Sequence, residues 1–467
     1  MQSKSMIRLS VVLTALSLSI AVQAQELNAF SVQQCVDYAK KNSVQVKNAL
    51  LDIRIQEETN REFTAAAYPR VGASLGANYF PQVATQVFPN FIALGTYGVL
   101  QKEGVKDGNG NAIQIPTDIG FINAQFGTKY SASLGFEVSQ LLFDGQVFVG
   151  LQARAAAVEL AQKGAEVTEE NIKANIHKIY FQLVAARKQV AALDANIDKL
   201  TKLQKDTREL FKNGFAEKLD IDKLDVTLIN LQTEKQKVLN QIESGNLGLK
   251  MLMGMPVAQT LVLTDTLADN QLKADLLEAS YNASDRKDIQ QLEILKKLGG
   301  YNVKRYQLAK LPTVALFGSF STNAQRNSFN FFKTSEKWFP TSLIGFKITA
   351  PIFQGFGRNA SINKARYDLE KYTNNIELLK MSIDHDVEQA RIRYKNAIIT
   401  MDYQKKNMQL AENVYSVTKI KYEQGLGSNM EITNAQTELR LAQTNYFSAL
   451  YDAIIARVDY QKAIGKL

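Results

Sequence analysis

Few side chains in this sequence could carry bond-making chemistry. There are two histidines, His177 and His385, separated by 208 positions, and one cysteine, Cys35. No zinc-type cluster can be written from these, and no disulfide can form within one chain. Cys35 reads as a small buried residue of the first helix. Gly355-Phe356-Gly357 lacks the spacing and strand context of a dinucleotide loop, so it reads as a strand-to-helix turn. The informative residues are acidic. Asp220, Asp222 and Asp225 follow one Gly-containing turn, and Glu431 and Asn434 follow another. Acids in the first turns of a helix suit its positive end. If several chains meet there, the same groups become rings of carboxylates that select or trap cations.

What positions those turns is a duplication. Phe143-Asp144-Gly145 returns as Phe353-Gln354-Gly355, and Lys212-Asn213-Gly214 returns as Glu423-Gln424-Gly425, at offsets of 210 and 211. Between these landmarks, small and apolar residues fall at 172, 176, 179, 183, 186, 190, 193, 197 and 200. The same steps from Ile383 to Ala411 in the second half lose that character only at Gln404. Alternating steps of three and four average 3.5 and demand coiled-coil packing. Ile197 and Leu200 lie on this seam, and Lys199 and Lys202 are expected off it. Each copy predicts a helix of about 67 residues, on the order of 100 Å long, which turns at Gly214 or Gly425 into an antiparallel partner.

Ahead of each long helix lies a pair of strands with period two. In the first pair, Val71, Ala73, Leu75, Ala77 and Tyr79 alternate with Arg70, Gly72, Ser74, Gly76 and Asn78; Tyr130, Ala132, Leu134, Phe136 and Val138 alternate with Lys129, Ser131, Ser133, Gly135 and Glu137. In the second, Val314, Leu316 and Phe320 share a face, and Ile344, Phe346 and Ile348 are set opposite Ser342, Gly345, Lys347 and Thr349. Residues 81–127 read as one long external loop of a membrane hairpin. Trp338 and Phe339 are candidates for an aromatic girdle at a membrane interface.

Lys4 and Arg8, an apolar stretch from Leu9 to Val22 and a small-x-small site at Val22-Gln23-Ala24 predict a removable secretory signal. The net charge of +9 falls to +7 without Lys4 and Arg8. Lys and Arg are interspersed with Asp and Glu along helices, the pattern of a solvated face, so nucleic acid is not an expected partner. No later stretch reaches the roughly 18 apolar residues of a membrane helix. Amphipathic strands with open edges cannot stand alone in hydrocarbon. Three chains of four strands would close a barrel of twelve.

The layout resembles the TolC family of outer-membrane efflux proteins along the whole mature chain. The resemblance rests on the strand pairs led by Pro69 and Pro312, the turns at Phe143-Asp144-Gly145 and Pro351 to Arg358, the opening Arg286-Lys287-Asp288, and the tips at Gly214 and Gly425. It implies an α+β membrane protein: a homotrimeric twelve-stranded β-barrel, four strands per chain, continuous with a long α-helical coiled-coil barrel. The expected organisation is a signal peptide (1–24) and two repeats, 25–256 and 257–467. The first holds a helix, a β-hairpin (69–143) and a helical hairpin (146–254); the second holds a helix, a β-hairpin (312–353) and a helical hairpin (357–465). The implied function is a passive exit duct in the outer membrane, with a large periplasmic portion, engaged by a periplasmic adaptor and an inner-membrane RND or ABC transporter. It implies no enzyme activity and no cofactor.

By the same resemblance, Tyr422-Glu423-Gln424-Gly425 matches the family's tip motif, Glu431 falls on one constriction aspartate, and Asn434 falls on the second. Asp220 matches an acidic latch partner; apart from the resemblance, Asp220 and Asp222 are the further constriction candidates. Gly427 stands where the best-known member has a latching arginine. Gly214-Phe215 and Gly425-Leu426 would seat the adaptor. Outer-membrane lipid is the remaining partner. A structural or adhesive coiled-coil envelope protein would explain the helices but not the strands, and a periplasmic enzyme would need a convergent cluster that the sequence lacks.

Overall fold

The computed structural model describes residues 28–266 and 280–467; the expected signal peptide lies outside them. The chain divides into two compact units, one formed by residues up to 59 with 153–303 and 363–467, the other by 60–152 and 304–362.

The second unit is built on a sheet. Strands β2 (Arg70–Tyr79), β5 (Tyr130–Phe143), β7 (Thr313–Arg326) and β8 (Phe339–Thr349) form one antiparallel sheet in the order β2-β5-β7-β8. The register puts Leu75 opposite Leu134, Phe136 opposite Phe320, and Leu316 opposite Phe346. Each apolar row therefore continues into the next, and one face of all four strands is apolar. That face is bare: Leu75 is 79 % and Ile344 83 % exposed. Ser342, expected on the polar face, pairs with Phe320 and lies on the apolar one, because its parity matches that of Ile344. The other face carries Ser74, Ser133, Gly135 and Ser321, with Phe317 laid against Gly345, where a Cβ would come within 2.9 Å of the ring.

Residues 81–127, expected as a loop, carry structure of their own. Strands β3 (Thr85–Pro89) and β4 (Phe121–Gln125) pair antiparallel, and helix α3 (Phe91–Lys102) lies between them. Asn90 caps α3, its side chain accepting from the Ala93 N–H at 3.0 Å.

The first unit is helical. Helix α1 (Val32–Asn42) opens with a capping box between Ser31 and Gln34. The helix expected at the start of the first repeat is broken at Ser43, whose ψ of 129° is extended, and α2 (Val44–Ala65) follows. The break meets the turn at Gly254. A Cβ there would approach the Asn42 carbonyl oxygen to 2.3 Å, and the φ of +71° also excludes most side chains. Strand β1 (Asn28–Phe30) pairs in parallel with β6 (Leu261–Leu263). The Tyr180 hydroxyl donates to the Phe30 carbonyl at 2.9 Å and accepts from the Asp265 N–H at 3.0 Å.

Helices α4 (Gly145–Lys212) and α7 (Gly357–Glu423) have 68 and 67 residues, and their partners are α5 (Lys218–Met253) and α8 (Asn429–Ala463). A further helix, α6 (Lys287–Leu308), precedes β7. Every seam position is buried or half-buried, with Ile176, Leu183, Leu200, Tyr394 and Met401 at 1 % exposure or less. Lys199, expected off the seam, makes a contact of its own: its ammonium stands 5.6 Å from the centre of the Tyr415 ring. Lys202 is exposed. Cys35 is fully buried, and burial next to the Asp265 charge pushes its thiol up to about 12.

Candidate functional site at the helical turns

The two turns share one construction. At the first, Gly214 has a φ of +78°, and the Phe215 N–H reaches back to the Leu210 carbonyl at 2.9 Å. At the second, Gly425 has a φ of +72°, and the Leu426 N–H reaches the Lys421 carbonyl at 2.9 Å. In both, the Gly N–H closes the inner bond, to Phe211 and to Tyr422. This is the Schellman arrangement, which needs a left-handed residue at the exit of a helix. It leaves Phe215 and Leu426 81 % and 77 % exposed.

After the turns come the caps. The Glu217 N–H donates to Asp220 Oδ2 at 3.2 Å, so Asp220 closes the first turn of α5. Ser428 caps α8, accepting from the Glu431 N–H at 3.2 Å. Glu431 and Asn434, one turn apart, are both exposed on one face of α8, while Ile432, Ala435 and Leu439 are buried on the other. The Glu431 carboxylate leans back over Gly427, where a Cβ would lie 3.5 Å from Oε2 and 3.2 Å from the Tyr422 nitrogen. Asp222 is exposed on α5. Asp225 is instead held by Arg208, at 3.3 Å, and by Gln204.

Tyr422 is half-buried, and its hydroxyl lies 3.2 Å from that of Thr207, which is fully buried. This contact ties α7 to α4 just behind the turns. Thr207 escaped the sequence reading although it lies one heptad beyond Leu200; its hydroxyl hid a seam position. Further back, Arg440 on α8 pairs with Glu234 on α5 at 2.9 Å, and buried Asn196 on α4 donates to Gln443 at 2.6 Å. These partners are far apart in sequence, so no local pattern announces them.

The girdle candidates part company. Trp338 is half-buried, its ring 6.1 Å from buried Phe331, in a small cluster with Ala132, Ala324 and Tyr130. Phe339 is 62 % exposed. No described helix is long and apolar enough to cross a membrane.

Residues 281–466 match the family described as outer membrane efflux protein. The outer membrane protein TolC of Salmonella enteritidis is 21 % identical to this chain, over all of the chain and 87 % of that protein. Among solved structures, the outer membrane protein VceC of Vibrio cholerae superposes with a TM-score of 0.67 at 14 % identity, over 93 % of this chain and 96 % of that one. The CmeC outer membrane channel of Campylobacter jejuni gives 0.69 at 16 %, over 93 % and 85 %. The fold is thus that of the outer-membrane channels of efflux systems. The resemblance to TolC-family efflux proteins read from the sequence is borne out, and the chain is an outer-membrane protein with a large periplasmic portion.

Proposed function

We propose that three copies of this chain close into a twelve-stranded barrel in the outer membrane, and that their long helices form a tunnel ending at the turns. The observation that carries this is the four-stranded sheet with one bare apolar face and β2 and β8 at its edges. Hydrocarbon covers such a face, but only a closed barrel satisfies the edges. The two sequence repeats, 25–256 and 257–467, supply a strand pair and a helical hairpin each.

The protein acts as a passive exit duct rather than an enzyme, engaged by a periplasmic adaptor and an inner-membrane RND or ABC transporter. Glu431, with Asn434 beside it, forms the constriction as a ring of three, and Asp222 adds charge nearby. Asp220 contributes first as a helix cap. Exposed Phe215 and Leu426 offer the adaptor its apolar foothold beside Gly214 and Gly425. Gly427 removes the arginine latch of relatives, and Tyr422 with Thr207 remains as the tie that holds the end shut. In the sheet unit, Phe339 is the girdle residue, and Trp338 packs against the loop residue Phe331.

Detergent-solubilised protein should run as a trimer and conduct ions in planar bilayers. A water-soluble monomer would sink the reading in favour of a coiled-coil envelope protein.

A further inference from the structure

Where β8 runs out, a cleft of about 210 Å³ is lined by Lys310, Ile352, Phe353, Phe356, Arg358 and their neighbours. Three of these are large apolar residues left in the open: Ile352 is 97 % exposed, and Phe353 and Phe356 are each 74 %. The two rings meet edge to face at 5.6 Å. Phe356 has a φ of +63°, and it is the one non-glycine residue with positive φ among the described residues. A bulky residue held there is strained at a cost in stability. The fold tolerates that cost and keeps the ring outward.

The same cleft holds two cations. Lys310 Nζ donates to Asn359 at 2.9 Å, and Arg358 Nε donates to Gln354 at 2.7 Å. Both partners are neutral, and no carboxylate lines the cleft. Arg358 Nη1 is buried without a hydrogen-bond partner. A planar guanidinium with a free donor beside an ammonium suits a phosphate, and the aromatic walls suit the boundary between headgroup and acyl chain.

The position fits as well. The eleven residues from Phe339 to Thr349 span about 37 Å along the strand, or about 26 Å at a tilt near 45°, against an apolar band of about 25 Å. With Phe339 at one border, Ile352 and Phe353 arrive at the other. The apolar row Ile344, Phe346 and Ile348 leads directly to them. The other strand-to-helix junction carries its own aromatic pair, Phe143 and Phe148, also at 5.6 Å.

We infer that this cleft binds a phospholipid of the inner leaflet, with its phosphate on Lys310 and Arg358 and its upper acyl chain against Phe353 and Phe356. The inference rests on the membrane-spanning reading of the sheet, and the test separates the two. In a Trp338→Phe background, single tryptophans are placed by Phe356→Trp, Phe346→Trp and Ser133→Trp, and the protein is reconstituted in phosphatidylethanolamine and phosphatidylglycerol vesicles. Lipids brominated near the headgroup should quench the Phe356→Trp variant most, those brominated deep in the chain should quench Phe346→Trp most, and Ser133→Trp should respond to neither. The double variant Lys310→Gln, Arg358→Gln should retain at least about tenfold less phosphatidylglycerol on purification, since the loss of even one charge-assisted hydrogen bond is of that size. Quenching of Phe346→Trp without Phe356→Trp, or unchanged lipid retention, overturns the lipid site alone. Silence at both positions overturns the membrane-spanning sheet.

Discussion

Glu431 and Asn434 differ by one charge on one exposed face of α8, and three chains would turn them into one acidic and one neutral ring. Coulomb attraction for a multivalent cation scales with ring charge and is strong at close quarters. The trimer should therefore be cation-selective in planar bilayers and blockable from the periplasmic side by di- or trivalent metal ions. Glu431→Gln should relieve that block and Asn434→Asp should deepen it. Unchanged block in both would move the constriction to Asp220 and Asp222. His177 supplies a second residue-scale outcome. Burial first, then Lys173 and Arg457, pull its imidazole down to about 4, against a weaker opposing pull from Asp265, and its Nε2 has no partner. The unfolded chain then takes up the proton more readily than the folded one. Stability present above pH 6.5 is lost as pH falls toward 4, by as much as about 3 kcal/mol per chain. Thermal unfolding of His177→Gln should lose less over that window than the parent, and parallel curves would contradict the assignment.

At the scale of elements, the seam of α4 makes a graded prediction. Leu200 is 1 % exposed and Ile197 half-buried, so Leu200→Ala should cost about 2–5 kcal/mol and Ile197→Ala less. Lys202→Ala should be nearly silent. Lys199→Ala should cost up to about 1 kcal/mol through its contact with Tyr415, and denaturant midpoints in any other order would refute this packing. The long helices were legible because their steps of three and four persist over whole turns and again at an offset of 211. The sheet faces were legible for the same reason, with period two. Helix α3 was not. Between Phe91 and Leu100 no residue is charged, so no polar face betrays a period, and its one signal was the Asn90 cap. The break at Ser43 was equally hidden, because the turn it packs against, at Gly254, is more than two hundred positions away. At the turns the glycines and acids were visible locally, whereas the Tyr422 tie needed Thr207 from the other half of the chain.

For the whole molecule, the decisive quantity is what covers the apolar sheet face. In the single chain, Leu134 is 37 % and Phe136 47 % exposed, and each sits centrally in the sheet, between Leu75 and Thr322 or between Ala73 and Phe320. In water these residues would gain from replacement by a charge. In a bilayer, arginine near the midplane of a barrel costs roughly 2–4 kcal/mol per site, and threefold symmetry multiplies the cost by the number of chains. Leu134→Arg and Phe136→Arg should therefore lower the yield of outer-membrane trimer on native gels, while Ser133→Arg, next to Leu134 but on the polar face, should assemble normally and change conductance instead. The contrast between adjacent positions assigns the loss to the apolar face rather than to the strand as a whole. Assembly of Leu134→Arg and Phe136→Arg at the parent's level would mean that something other than lipid covers the face, and the barrel would have to be abandoned.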